Sequence, residues 1–197
     1  LVLSQLFCGS PQSTQQAHFQ YVTQADDTVM IIGMGGTAAV SANGTLTIPA
    51  ELDGKPVTSI SGDAFRSVVG LRSVSLPDSL RTIERYAFAN NKDLQAITLP
   101  EGLTTLGDGA FYACGLKTIS LPASLTTLGE NPFSDNAELA EITVHAKNPV
   151  LQLADGALLC GISLVCYPPK RTGNSYVVPQ GVRKIDAYAF AFSELRS

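Results

Sequence analysis

The stretch LQAITLPEGLTTLGDGAFYACGL, residues 94–116, decides the fold because its pattern returns along the chain at a nearly constant interval. The phenylalanines of this series are 23, 23 and 22 residues apart: Phe65, Phe88, Phe111 and Phe133. The leucines that open the units are 23, 22 and 23 residues apart: Leu71, Leu94, Leu116 and Leu139. A period in this range is typical of a solenoid, in which each repeat forms one coil and stacks on its neighbours.

Each unit divides into an extended part, a proline and a turn. The pattern L-x-x-I-x-L predicts a short strand whose apolar side chains point inward, as at Ile97 and Leu99. Proline then ends the strand because it fixes the backbone and lacks an amide donor, as at Pro100. A second extended piece follows. The Ala-Phe pair is expected on a short helical turn that drives its ring between neighbouring coils.

A polar or thiol side chain stands three residues after most of these phenylalanines, at Asn91, Cys114 and Asn136. An amide or thiol at a bend can satisfy backbone groups, and a repeated one can form a ladder from coil to coil. We therefore expect a structural role for Cys114 and not a catalytic one.

The unit resembles that of the leucine-rich repeat family, specifically the BspA-like (Treponema-type) surface protein class, whose 23-residue unit ends in A-F-x-x-C. The resemblance extends from Phe19 to Leu195. It implies a right-handed leucine-rich repeat solenoid of about five to six coils. The coils would contain short parallel strands and short helical turns, so that the fold is mostly β, with a β-hairpin cap at the N-terminus.

The first residues, LVLSQLFCGSPQSTQQ, indicate that residues 1–18 are either the remnant of an export signal or a flexible leader. The resemblance implies that residues 19–57 form the hairpin cap and its lead-in segment and that residues 58–197 form the array. Within the array, a D-G-x-L hairpin ending in Y-P replaces an ordinary unit at about 146–178, before the stack resumes at Val182, Ile185 and Phe190. The chain departs from the family pattern in its shorter hairpin loop and in Pro132, which stands where alanine is expected.

Composition and charge exclude several classes of function. Charged residues make up 15% of the chain, the net charge is −4, and no basic cluster suited to nucleic acid or anionic lipid is present. No window approaches the roughly 18 uninterrupted apolar residues that a membrane-spanning helix needs, so membrane insertion is not expected.

The four cysteines, Cys8, Cys114, Cys160 and Cys166, have no zinc-ligand spacing. The stretch LLCGISLVC, residues 158–166, predicts a hairpin that turns near Gly161. In that register Leu159 faces Leu164, so the two hairpin sulfurs are not opposite each other, although a disulfide between them remains the alternative. A metal site built from His145, Asp155 and these cysteines matches no known pattern, and we predict neither a metal nor a cofactor.

The outward positions of the first strands form two columns of small, mostly hydroxylated side chains. We take the following residues as candidate ligand-binding positions: Ser73, Ser75, Thr98, Thr118, Ser120, Glu141 and Thr143. The simpler interpretation is that threonine and serine support the sheet, since β-branched side chains favour strands. The functional interpretation is that a flat, hydroxyl-rich face recognises a protein or glycan through many weak contacts.

The resemblance implies a non-catalytic, cell-surface or secreted binding module that mediates adhesion to a host or neighbouring-cell protein or glycan. The first alternative is a structural spacer that presents another domain, and a hydrolase is a distant third. No G-x-S-x-G context surrounds a candidate nucleophile, and the only two histidines are His18 and His145.

Overall fold

The computed structural model describes residues 18–35 and 40–196. These residues form fifteen short strands and contain no α-helix. The strands are β1 Phe19–Thr23, β2 Val29–Met34, β3 Thr45–Thr47, β4 Glu51–Leu52, β5 Lys55–Ile60, β6 Ser73–Ser75, β7 Thr82–Ile83, β8 Thr105–Leu106, β9 Thr118–Leu121, β10 Thr127–Leu128, β11 Glu141–Val144, β12 Leu151–Ala154, β13 Ala157–Cys160, β14 Ser163–Cys166 and β15 Lys184–Ile185.

The second extended piece of each coil contributes to one sheet. Strands β5, β7, β8 and β10 pair in parallel. Equivalent residues of successive coils lie side by side, in the register Ser59, Thr82, Thr105 and Thr127. The antiparallel hairpin of β1 and β2 joins this sheet through a parallel pairing of β2 with β5. Because Val29 and Ile31 of β2 are fully buried, the hairpin caps the first coil as a solenoid end requires.

The phenylalanines form a continuous internal column, as the period predicts. Phe65, Phe88, Phe111 and Phe133 are buried, and their ring centroids are 5.2, 5.5 and 6.3 Å apart. The rings are nearly parallel, with interplanar angles of 18°, 7° and 5°. At the cap end, Phe19 closes the column edge-on, 6.3 Å from Phe65. The rings and the aliphatic core therefore hold neighbouring coils in one register.

The prediction of short helical turns at the Ala-Phe pairs is wrong, because these segments are consecutive β-turns. The amide of Tyr112 donates back to the Gly109 carbonyl at 2.8 Å, whereas the amide of Phe111 donates to the next coil, at the Pro132 carbonyl, at 2.9 Å. Positive φ angles of 53° at Gly109 and 51° at Ala113 bend the chain between these bonds. In a helix, the amides would donate to carbonyls of the same segment, and the stack would lose such hydrogen bonds between coils.

A ladder of buried polar side chains lies beside the phenylalanine column, as predicted. The Asn91 amide nitrogen donates to the carbonyls of Phe65 and Phe88 at 2.9 and 2.6 Å. In the next coil, Cys114 Sγ lies 3.1 Å from the Phe88 carbonyl, and one coil further the Asn136 amide donates to the carbonyls of Phe111 and Phe133. Each of these side chains thus joins its own coil to the preceding one.

A three-stranded antiparallel element replaces an ordinary unit in the C-terminal part. Strands β12, β13 and β14 pair antiparallel, and β14 then pairs in parallel with β15. Asp155 and Gly156 form the first turn with φ angles of 44° and 74°, which suits an Asp-Gly hairpin. The amide of Tyr167 donates to the Ala189 carbonyl at 2.7 Å, so Tyr167 occupies the place that phenylalanine has in ordinary coils.

After this element, β15 pairs in parallel with β14, and Phe190 packs against Tyr167. The ring of Phe190 lies 5.7 Å from Tyr167 and 5.9 Å from Tyr176, in an aromatic cluster separate from the phenylalanine column. Ile185 is 52% exposed, whereas Ile83 and Leu106, at the equivalent place in earlier coils, are buried.

The hairpin cysteines have free thiols. The predicted register is confirmed, since Leu159 pairs with Leu164 and Cys160 with Ser163, and Cys160 and Cys166 form no disulfide. Burial raises the pKa of both Cys114 and Cys166 to about 12, which keeps these thiols protonated and unreactive at neutral pH. Cys8 and residues 1–17 lie outside the described residues.

Close approach of the coils requires glycine at Gly107, where an added Cβ would lie 2.5 Å from the Arg85 nitrogen and 2.7 Å from the Glu84 carbonyl carbon. Both atoms belong to backbone that cannot rotate away. We therefore expect Gly107→Ala to lower the free energy of unfolding by about 1–3 kcal/mol in urea denaturation. Gly33→Ala is the matched control, because the atom nearest to its Cβ would be the flexible end of the Gln20 side chain, at 3.3 Å, and the nearest backbone atom would be 4.0 Å away. Equal stability of the two variants would contradict this account of coil spacing.

Candidate functional site: a groove in the hydroxyl-bearing sheet face

The first strands of the coils place the predicted binding residues on one outer face. Six of them are exposed and Ser73 is half-buried. In the pairing of β9 with β11, Thr118 lies opposite Glu141 and Ser120 opposite Thr143, as the column assignment predicts. We call this surface the hydroxyl face; it comprises Thr45, Thr47, Ser73, Ser75, Thr98, Thr118, Ser120, Glu141 and Thr143.

Hydroxyl pairs bridge neighbouring strands at both ends of this face. Thr143 Oγ1 donates to Ser120 Oγ at 2.9 Å, and Thr45 Oγ1 lies 2.8 Å from Ser73 Oγ. These contacts are cross-strand pairs of the kind that stabilise sheets, so part of the hydroxyl face has the supporting role that the simpler interpretation assigns to it.

The strand ladder of this face is interrupted in its middle. Strand β6 pairs only with β3, and β9 pairs only with β11. Between them, residues 95–99 follow the same inward and outward alternation but form no strand, and we call this segment the ladder gap. Of its backbone groups, the Gln95 carbonyl accepts from the Lys117 amide at 3.1 Å, whereas residues 96–99 make no backbone hydrogen bond within the described part of the chain.

A groove of about 630 Å³ opens along the ladder gap. Its floor reaches core side chains of three coils, including Val74, Ile97 and Ile119. Its walls carry five of the seven predicted residues: Ser73, Thr98, Thr118, Ser120 and Thr143. Ser75 and Glu141 are exposed beside the groove and do not line it. Clefts of this volume are typical of ligand-binding sites.

Four residues of this surface escaped the sequence analysis. Strand β3 adds Thr45 and Thr47 in register with Ser73 and Ser75. The sequence could have predicted these two residues, because TLTIP at 45–49 repeats the alternation and terminal proline of SVSLP at 73–77. Glu101 and His145 line the end of the groove where the strands stop, and nothing in their spacing marks them as neighbours.

The polar groups around the groove suit binding. The Lys147 amide donates to His145 Nδ1 at 3.1 Å, which fixes the imidazole at a turn. Within residues 18–35 and 40–196, no cluster of three or more His, Cys, Asp or Glu side chains could hold a metal ion. The groove thus offers hydroxyls, one carboxylate, an imidazole and unpaired backbone groups over an apolar floor.

A second polar and aromatic surface lies at the turns, beside the phenylalanine column. The rings of Tyr86 and Tyr112 are 6.0 Å apart in an edge-on arrangement, and the Arg66 and Arg85 guanidinium carbons lie 5.6 and 5.3 Å from the Tyr86 centroid. A hydrogen bond to Asp135 raises the Tyr112 pKa. Because these side chains already contact one another, they are less available to a ligand than the groups in the groove.

Comparison with solved structures shows the same fold. A leucine-rich repeat protein from Eubacterium ventriosum has a TM-score of 0.63 at 20% identity, over 91% of this chain and 56% of that one. A leucine-rich repeat protein from Bacteroides capillosus has a TM-score of 0.60 at 27% identity, over 68% and 98%. A leucine rich cell surface protein from Faecalibacterium prausnitzii has a TM-score of 0.51 at 20% identity, over 95% and 70%.

This chain therefore spans little more than half of the Eubacterium protein's length. No curated protein sequence matches it. Among the described residues, no helix is long and apolar enough to cross a membrane.

The model of the BspA-type leucine rich repeat region matches residues 58–159 in six copies, which is more than half of the chain. Proteins with this type of repeat are generally protein-binding or surface modules. From the repeat period, the stacked coils and this match, the protein belongs to the BspA-type leucine-rich repeat family.

Proposed function

We infer that the protein is a non-catalytic binding module, secreted or displayed at the cell surface, that attaches to a protein or glycan of a host or neighbouring cell. The observation that carries this proposal is the groove, because it brings five of the predicted residues together on an open face. A surface location is supported by the description of the Faecalibacterium protein as a cell surface protein.

Several properties of the hydroxyl face support recognition through many weak contacts. Its side chains are short and mostly uncharged, so little rotamer entropy is lost when a partner covers them. Among the described residues, no Phe, Tyr or Trp side chain lines the groove, and such large aromatic anchors are the usual source of high affinity at interfaces. We therefore expect attachment of modest affinity that multivalent display would strengthen.

A triple variant tests this role. Thr98→Lys, Ser120→Lys and Thr143→Lys together should abolish saturable binding of the fluorescently labelled protein to epithelial cell monolayers, because bulky charges would fill the groove. The fold should persist, since all three side chains are exposed. The matched control replaces Thr104, Thr126 and Thr127 with lysine, on exposed positions of the other extended piece, and should bind as the unaltered protein does.

Treatment of the monolayers with protease or with glycosidases then identifies the class of partner. If the triple variant and the control bind equally well, the groove is not the site. If the unaltered protein shows no saturable binding to cells, the spacer function is the better account.

A further inference from the structure

At the ladder gap, hydrogen-bonding groups of the backbone have no backbone partner among residues 18–35 and 40–196. The amides and carbonyls of residues 96–99 form no backbone bond in the described part of the chain, although the segment lies between two strands. Backbone groups alternate in direction along a parallel strand, so about half of those in β6 and β9 also face the gap. Buried backbone groups are normally paired, and groups left open to a groove are therefore available to a ligand.

The side chains along the groove indicate what kind of ligand would use these groups. Val74, Ile97 and Ile119 form an apolar floor, with only 8%, 8% and 2% of their surface exposed. The rim carries short hydroxyls such as Thr98 and Ser120. An extended peptide matches this arrangement because its backbone offers donors and acceptors at strand spacing and its alternate side chains point to floor and solvent.

We propose that the groove binds an extended segment of a partner polypeptide, through main-chain hydrogen bonds to residues 96–99. This inference rests on the proposed function and specifies its ligand as a protein segment and not a glycan. Small apolar side chains of the segment contact the floor. A basic side chain faces Glu101, which supplies the carboxylate at the end of the groove.

The site differs from addition of a strand to the outer edge of a sheet. Here the acceptor and donor groups lie in the interior of the array, between β6 and β9, and the hydroxyl pairs Thr45–Ser73 and Ser120–Thr143 hold the strands on either side. The walls of the groove are thus preorganised, which lowers the conformational entropy lost when the peptide binds.

Selection from a phage-displayed library of random short peptides tests the proposal. We expect the protein to enrich peptides that lose about tenfold or more in affinity when alternate backbone amides are N-methylated, since each methyl group removes a donor. Thr98→Lys should abolish their binding, and Thr126→Lys, on an exposed position outside the groove, should not change it. In NMR hydrogen exchange, the amides of residues 96–99 should gain protection when such a peptide is added.

Three results would overturn the proposal. The library could yield no binder, the selected peptides could tolerate N-methylation, or they could protect amides elsewhere. If saturable attachment to cells nevertheless persists and is lost in the triple groove variant, the binding function stands and only the peptide mode is wrong. If attachment to cells is also absent, the proposed function fails with it.

Discussion

Replacing Phe111 by alanine should lower the free energy of unfolding by about 3–5 kcal/mol, because its ring is fully buried between two coils. The ring centroid lies 5.5 Å from that of Phe88 and 6.3 Å from that of Phe133, so truncation leaves a cavity that neither neighbour can fill without breaking the column. A loss of this size is a large fraction of the stability of an ordinary domain. Equilibrium urea denaturation followed by circular dichroism measures it.

Phe192→Ala is the matched control for this prediction. Phe192 is 60% exposed and lies outside the column, so we expect a change within about 0.5 kcal/mol. A loss below about 1 kcal/mol for Phe111→Ala would show that the rings do not hold the coils together.

Asn136→Ala should cost about 3 kcal/mol, since it removes four side-chain hydrogen bonds, three of them short, from a buried site. The side-chain nitrogen donates to the carbonyls of Phe111 and Phe133 at 2.7 and 2.8 Å, and Oδ1 accepts from the Leu116 amide at 3.1 Å. Alanine would remove these side-chain partners from the backbone groups of Phe111, Phe133 and Leu116 inside the stack. The same denaturation experiment gives the free energy of unfolding.

Asn174→Ala provides the comparison, because Asn174 is exposed. We expect it to change stability by less than about 0.5 kcal/mol. Should Asn136→Ala match this small effect, water would have to reach the ladder and the polar side chains would not tie the coils together.

Much of the fold could be predicted because the period alone fixes which residues stack. The spacing of Phe65, Phe88 and Phe111 predicted the ring column, and the position of Asn91 and Asn136 predicted the polar ladder. The turns could not be predicted in the same way. A helical turn and a pair of β-turns place the phenylalanine ring similarly, and only the coil-to-coil bonds, as from Phe111 to Pro132, distinguish them.

The sequence predicted which side chains of the site point outward, but it did not predict the unpaired backbone of the ladder gap. Alternation along the strands predicted that Thr98, Ser120 and Thr143 point outward, and the three line the groove. Nothing in the sequence distinguishes residues 95–99 from the equivalent segments that pair as β6 and β9. The ladder gap is defined by missing backbone pairing, which a repeat pattern does not encode, so the groove itself was not predicted.

The most direct test of the central claim, that unpaired backbone groups line the groove, is hydrogen exchange measured amide by amide by NMR on the protein without a partner. The amides of residues 96–99 should exchange rapidly. Those of Ala140 and His145, which donate to the carbonyls of Lys117 and Leu121 at 2.9 Å, should be protected. Equal protection at residues 96–99 would mean that the strands pair across the gap and that the groove offers no backbone groups to a ligand.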